Sequence, residues 1–346
     1  MNRRAFALAI CRSIAAAGLV LFATEPGFTA TGIKPTSLIV TARPITAFHI
    51  GRPEETKFGA LEFIGGLELE SPNRHFGALS GLAMSPDGSR MIAVTDNGFW
   101  FQARLDYDGA ERPIAVRDAI LTAMRDTRRK APLIDRGNGD AEALAIDHTT
   151  SPPQLLVAFE RRHRVMQTTI GPKGIPGRLA AGPKLPKAVS RLKSNKGLEG
   201  LAIGPGGNGR IMVAIAERDR DAKADVPGWI LAGARTGPFK VARVGRYDVT
   251  DATFLPGGDL LVLERLFNLR DGIGMRIRRF AKAAIKPKAL LQGTIILEAD
   301  FSHQIDNMEG LALHRSINGD LIVTIVSDDN RSILQRTLLL QFRYVE

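Results

Sequence analysis

Residues 196–218, KGLEGLAIGPGGNGRIMVAIAER, are written several times over in this chain, and no other feature narrows its possible folds as much. Each copy sets an acidic residue in a small apolar segment, here Leu198-Glu199-Gly200-Leu201-Ala202. A turn rich in Gly, Pro or Asp follows, then an apolar strand-like run ending on charged residues, here Glu217-Arg218. The first copy has Leu79-Ser80-Gly81-Leu82-Ala83, Pro86-Asp87-Gly88 and then Asp96-Asn97. The second has Ala141-Glu142-Ala143-Leu144-Ala145, Ser151-Pro152-Pro153 and Glu160-Arg161. A degenerate fourth has Thr250-Asp251-Ala252, Pro256-Gly257-Gly258 and Glu264-Arg265, and a fifth has Met308-Glu309-Gly310-Leu311-Ala312 and Ser327-Asp328-Asp329.

Aligned on Ser80, Glu142, Glu199, Asp251 and Glu309, the copies step by 62, 57, 52 and 58 residues. A strand–turn–strand unit at this period is the mark of an all-β chain built as a β-propeller. About 315 residues at this step give five to six units, so the expectation is six blades. The sixth is assembled from N-terminal strands and the run 333–345, closing the ring and removing free sheet edges. Residues 116–130 read as the one helix-like interruption, and 184–196 as a basic, proline-containing loop. No low-complexity linker divides the chain, so residues 33–346 form one propeller domain.

Equivalent positions of successive blades form rings around a propeller's axis. Glu142, Glu199, Asp251 and Glu309 are therefore candidates for one carboxylate ring, with Asp140, Asp306 and Asn307 able to add oxygens. Hard oxygen donors suit Ca²⁺, which takes six to eight of them in loose geometry. The competing reading has each acid accepting backbone N–H bonds or pairing with an arginine of the next blade. Arg161, Arg218 and Arg265 form a second ring, suited to gripping phosphate bidentately or to bridging blades. Because adjacent strand residues point to opposite faces, each Glu of these pairs and its Arg cannot face the same way.

The set Leu79-Ser80-Gly81-Leu82 with Thr95-Asp96-Asn97-Gly98, Leu198-Glu199-Gly200-Leu201-Ala202, Glu264-Arg265 and Met308-Glu309-Gly310-Leu311-Ala312 resembles the secreted phytase-like family, described as having esterase-like activity of phytase. The resemblance spans about residues 76–330. It implies a propeller that hydrolyses phosphate or other esters with the aid of calcium. Ser80 and the degenerate unit at Asp251 depart from a symmetrical metal ring.

The N-terminus reads as an export signal over residues 1–30: Arg3-Arg4 with Phe6 resembles a twin-arginine signal, and an apolar stretch follows over 13–22. That stretch is too short for a stop-transfer helix, and no later one spans a membrane. The expected location is periplasmic or secreted. The only cysteine, Cys11, falls in this segment, so the processed chain has no thiolate chemistry and no disulfide. The net charge of +11 is scattered rather than run together, which argues against a nucleic-acid tail and fits either a merely soluble basic protein or a field that favours an anionic small-molecule substrate or an acidic surface; the expected state is a monomer. No nucleophile-elbow, zinc-helix or phosphate-loop motif occurs. His75 and His303, each just ahead of a repeat, are the best-placed acid–base candidates, and nothing adjacent in sequence activates Ser80. The leading expectation is a calcium-assisted phosphate-ester hydrolase. A non-catalytic binding propeller and a carboxylesterase or lactonase on the same scaffold are the alternatives.

Overall fold

Turn chemistry sets the strands. In the first repeat the Asp87 carboxylate accepts the Ser89 N–H at 3.1 Å and the Ser85 hydroxyl, while Gly88 N–H bonds to the Ser85 carbonyl at 2.9 Å. Gly88 sits at φ +71°, and a Cβ there would also meet the His314 ring at 2.2 Å, so only glycine closes this hairpin. The strands on either side, Leu79–Met84 and Arg90–Thr95, are almost wholly buried, as central propeller strands must be.

The computed structural model describes residues 34–134, 137–171, 174–206, 209–268 and 272–345, all within one compact unit. The expected export signal, its arginine pair and Cys11 lie outside the described residues. Five sheets are formed among the described residues, one for each legible repeat. Their innermost strands are Leu79–Met84, Ala141–Asp147, Leu198–Gly206, Asp248–Phe254 and Asn307–Arg315, numbered here blades 1 to 5. Each packs beside the next, and the fifth packs back on the first, so the ring is closed. Apolar cores fill every blade-to-blade interface. Each fully buried Leu, Val or Phe there contributes about 1.5–3 kcal/mol.

The ring has five blades, not six. The fifth repeat supplies only Asn307–Arg315 and Leu321–Asp328 to its sheet. The C-terminal strand Thr337–Tyr344 joins as the third, and the N-terminal Leu61–Glu70 pairs antiparallel with it, Leu340 opposite Gly66. Thr41–Ile45 completes the outer edge. The termini do close the ring, by finishing an existing blade rather than building another. Thr36–Ser37 is added to the outer edge of blade 1.

Residues 116–130 are not helical. They begin within the strand Pro113–Ala123, which two register shifts interrupt, with Asp118 at φ +51°. Bulges break a strict two-residue alternation, and the broken pattern imitates helical spacing. No helix among the described residues is long and apolar enough to cross a membrane.

Candidate functional site

Every inner strand starts with a shift in register against its neighbour. The residue pushed out is Glu142 between Ala141 and Ala143, Glu199 between Leu198 and Gly200, and Glu309 between Met308 and Gly310. In blade 1 the shift takes in Ser80. In blade 4 it falls between Val249 and Asp251, so the extruded residue is Thr250. The ring is thus Ser80, Glu142, Glu199, Thr250 and Glu309.

Asp251 is a correction to the expected ring. It holds the place that glycine holds in blades 1, 3 and 5, where inner strands crowd the axis. A Cβ on Gly81 would lie 2.2 Å from Leu144 N, and one on Gly310 would lie 2.6 Å from Ser80 O. Fully buried Asp251 fills the equivalent gap with its carboxylate, which accepts N–H bonds from Ala252 and from Leu311 of blade 5, both at 2.7 Å. It ties two blades together. Thr250 likewise donates to the Met308 carbonyl at 2.9 Å.

One layer further out, the ends of the second strands form another ring. Asp96, Glu160 and Glu217 donate their backbone N–H to Ala78, Asp140 and Gly197, and Asp328 pairs with Asn307. In blade 4 the partner of the corresponding Asp248 is Arg265. The Glu-Arg pair of this blade is therefore one residue out of step with the others. Arg265 enters the mouth, where it contacts Glu309 and Asn307 and reaches Glu217 Oε1 at 3.5 Å. Glu264 faces away, buried between Arg276 and Arg278 of the adjacent strand. The three arginines named from sequence are not equivalent. Arg161 pairs with Asp140 and Arg218 with Asp248, both on the rim, while Arg265 alone stands inside.

Two groups of carboxylate oxygens converge at this mouth, Asp140–Glu142–Glu160 and Glu160–Glu199–Glu217, each with its oxygens within 4.8 Å of one another. Glu160 belongs to both. Burial, followed by repulsion from neighbouring acids, holds Glu142 and Glu199 well above the usual carboxylate range. Burial likewise lifts Glu160 to about 7, opposed by the Gly197 N–H that its Oε1 accepts at 2.6 Å. Glu309 is lifted by burial to about 7 against the pull of Arg265. Lys196 bonds Glu217 Oε1 at 2.9 Å, yet Glu217 Oε2 is buried with no partner. A buried carboxylate oxygen left bare beside other carboxylates is the arrangement a cation completes. Residue by residue, Glu142 and Glu199 meet at this cluster, Glu309 is neutralised by Arg265, and Asp251 is elsewhere. Asp306 is taken up by Asn307 N–H at 2.9 Å and Arg336 N–H at 3.0 Å.

Neither histidine joins the cluster. His75 stacks on Phe99, and His303 packs on Phe48 and pairs with Asp300. Ser80 donates to Glu142 at 3.3 Å. Along the axis a cavity of about 150 Å³ is lined by residues of all five inner strands, Leu82, Leu144, Leu201, Phe254 and Leu311 among them, with His148 and Thr253. Sequence reading assigned Glu160 and Glu217 only to pairs with their arginines. Their position one residue before the arginine, on the opposite strand face, was the available signal.

Among solved structures the chain is similar to a thermostable family-43 glycoside hydrolase, with a TM-score of 0.54, 10% identity, and coverage of 80% of this chain and 92% of that one. It is also similar to an α-L-arabinofuranosidase from Podospora anserina solved with cellotriose, with a TM-score of 0.51, 10% identity, and coverage of 82% and 97%. At such identity the likeness is one of fold. No curated protein matches the chain. The family model for esterase-like activity of phytase matches residues 74–331, which hold every blade's inner strand and the whole acidic mouth, and the chain belongs to this phytase-like family.

Proposed function

We propose that the chain is an exported hydrolase of phosphate esters, assisted by calcium and acting as a monomer in the periplasm or outside the cell. The observation that carries this reading is the Glu160-centred cluster, which gathers buried carboxylates around the unpartnered Glu217 Oε2 while cations stand just outside. The donors fit a hard divalent ion: Glu160, Glu199 and Glu217 would hold it, with Glu142 and Asp140 alongside. A bound divalent ion supplies polarisation of a phosphoryl oxygen and a more acidic water.

The chain's own residues supply the rest. Arg161, Lys196 and Arg218 edge the mouth and draw an anionic group towards it, and the surplus of basic residues extends that attraction into solvent. Arg265 holds Glu309 in an ion pair, which leaves the oxygens nearer blades 2 and 3 for the cation. Export is supported by Arg3-Arg4 with the apolar stretch that follows, and by a chain with no cysteine beyond Cys11.

The test is release of 4-nitrophenol from its phosphate and its acetate, with calcium and with chelator, by the native protein and by Glu160→Gln and Glu199→Gln. The reading predicts calcium-dependent phosphate turnover, reduced at least about 100-fold in both variants, the scale on which lost catalytic electrostatics shows. Acetate turnover indifferent to chelator would replace it with a carboxylesterase. No turnover of either ester would leave a binding propeller.

A further inference from the structure

Three tight turns meet at the end of the ring opposite the acidic mouth: residues 85–89 and 108–112 of blade 1, and 316–320 of blade 5. A pocket of about 400 Å³ opens between them, with Tyr107, Ile317 and Ile322 as its apolar wall. Behind that wall runs a polar chain whose directions are fixed. The Gln341 amide donates to Tyr107 Oη at 3.1 Å and to Thr324 Oγ1 at 3.2 Å, and Tyr107 donates in turn to the Gly88 carbonyl at 2.9 Å. Thr324 is fully buried, and its one hydroxyl hydrogen has His314 Nδ1, at 3.3 Å, as acceptor. The imidazole, which burial keeps neutral at pH 7, therefore carries its proton on Nε2.

His314 lines the pocket and is only 5% exposed, yet among the described residues its Nε2 has no partner. The ring edge bearing Nε2 faces Gly88, where a Cβ would lie 2.5 Å from it, between the pocket residues Asp87 and Ser89. A buried N–H without an acceptor is uncommon, and water or a ligand completes it. Three carboxylates border the same space, Asp87, Asp108 and Glu111, against one cation, Arg315, which is bonded to the Gly319 carbonyl at 2.7 Å. Glu111 Oε1 accepts the Asn318 N–H at 3.1 Å, and Asp108 Oδ1 accepts those of Ala110 and Arg112, both at 2.9 Å. Among the described residues the second oxygen of each has no partner. In a chain of net charge +11, an acidic pocket with an apolar wall and one directed N–H suits a small organic cation.

We propose that this pocket binds an organic amine that also carries a hydroxyl. Its ammonium group lies against Glu111 and Asp108, its hydroxyl oxygen accepts the His314 Nε2–H, and its apolar part packs on Tyr107 and Ile317. The site is separate from the acidic mouth and stands whether or not the chain hydrolyses esters.

The experiment is calorimetric titration in chelator with phenylethanolamine, with phenethylamine, which lacks the hydroxyl, and with phenethyl alcohol, which lacks the charge. It uses the native protein, Glu111→Gln and His314→Leu. One phenylethanolamine should bind per native chain, more tightly than either of the other two. Glu111→Gln keeps the acceptor for Asn318 but loses the charge, and should weaken both amines at least about tenfold, the scale of a hydrogen bond to a charged group. His314→Leu should bind the two amines alike, because the partner of the hydroxyl is gone. Should His314→Leu not fold, Glu111→Gln and the three ligands decide. No binding by the native protein, native-like affinity in Glu111→Gln, or phenethylamine bound as tightly as phenylethanolamine by the native protein would overturn the proposal.

Discussion

At blade 4 an arginine stands where the other four blades carry a carboxylate, and Arg265 neutralises Glu309 from within the mouth while reaching Glu217. Removing one partner of a largely buried ion pair leaves the other charge uncompensated, at about 3–5 kcal/mol. Arg265→Gln should therefore lower the melting temperature in chelator, and calcium should restore more stability to it than to the native protein. Equal calcium effects on both would contradict the role given to Arg265. The same blade shows why part of the site was hidden in sequence. Asp251 and Glu264 fall in line with the acids of other repeats, but each lies one residue from the ring positions that Thr250 and Arg265 hold, and in a strand one residue exchanges the two faces. A titratable group outside the mouth gives a separate check. Burial pushes His314 down to about 4, against the pull of Asp87 and Glu111, and its Nδ1 lies 3.3 Å from the Thr324 hydroxyl. A depressed histidine favours folding above its unfolded value, near 6.5, and loses that advantage as pH falls through 6.5 towards 4. The loss amounts to about 3 kcal/mol. The native protein should lose more stability than His314→Gln between pH 7 and pH 4 in urea unfolding, and parallel losses would contradict this.

At the scale of the strand, the bulge opening each inner strand is the device that builds the site. It extrudes one residue towards the axis, and in blades 1, 3 and 5 the glycine after it lets neighbouring strands close up. Gly81→Ala would put a Cβ 2.2 Å from the Leu144 backbone nitrogen, whereas Gly200→Ala meets only side-chain carbons, at 3.1 Å and 3.3 Å. Overpacking against backbone costs about 1–3 kcal/mol or more. Urea unfolding should find Gly81→Ala clearly destabilised and Gly200→Ala much less so, and the reverse order would contradict this packing. The Glu-Gly-Leu-Ala pattern and its turns were legible because local chemistry writes them. The strand Pro113–Ala123 was not, because its bulges erase the alternation that reveals a strand.

For the whole molecule, repetition made the propeller legible, while the number of blades depended on where unrepeated segments go. Leu61–Glu70 and Thr337–Tyr344 carry no copy of the motif, and nothing local distinguishes a sixth blade from the outer half of the fifth. Ring closure resolves it, since a sheet of only two strands would leave an edge unpaired. Leu340, buried where these two strands pair, should cost about 2–5 kcal/mol as Leu340→Ala. A loss of that size in urea unfolding would place the closing pair in the cooperative core, and a loss near zero would contradict the closure.

The central claim is that the closed ring gathers its acids into a cation site pivoted on Glu160. The most direct measurement is calorimetric titration of the chelator-stripped protein with calcium at pH 7, alongside Glu160→Gln. Because burial, followed by repulsion from neighbouring acids, raises the Glu142 and Glu199 carboxyls and lifts Glu160 to about 7, binding should release protons, so the heat should change with the buffer's ionisation enthalpy. The account predicts one calcium per native chain with proton release, and none in Glu160→Gln. No binding by the native protein, or equal binding by both, would contradict it.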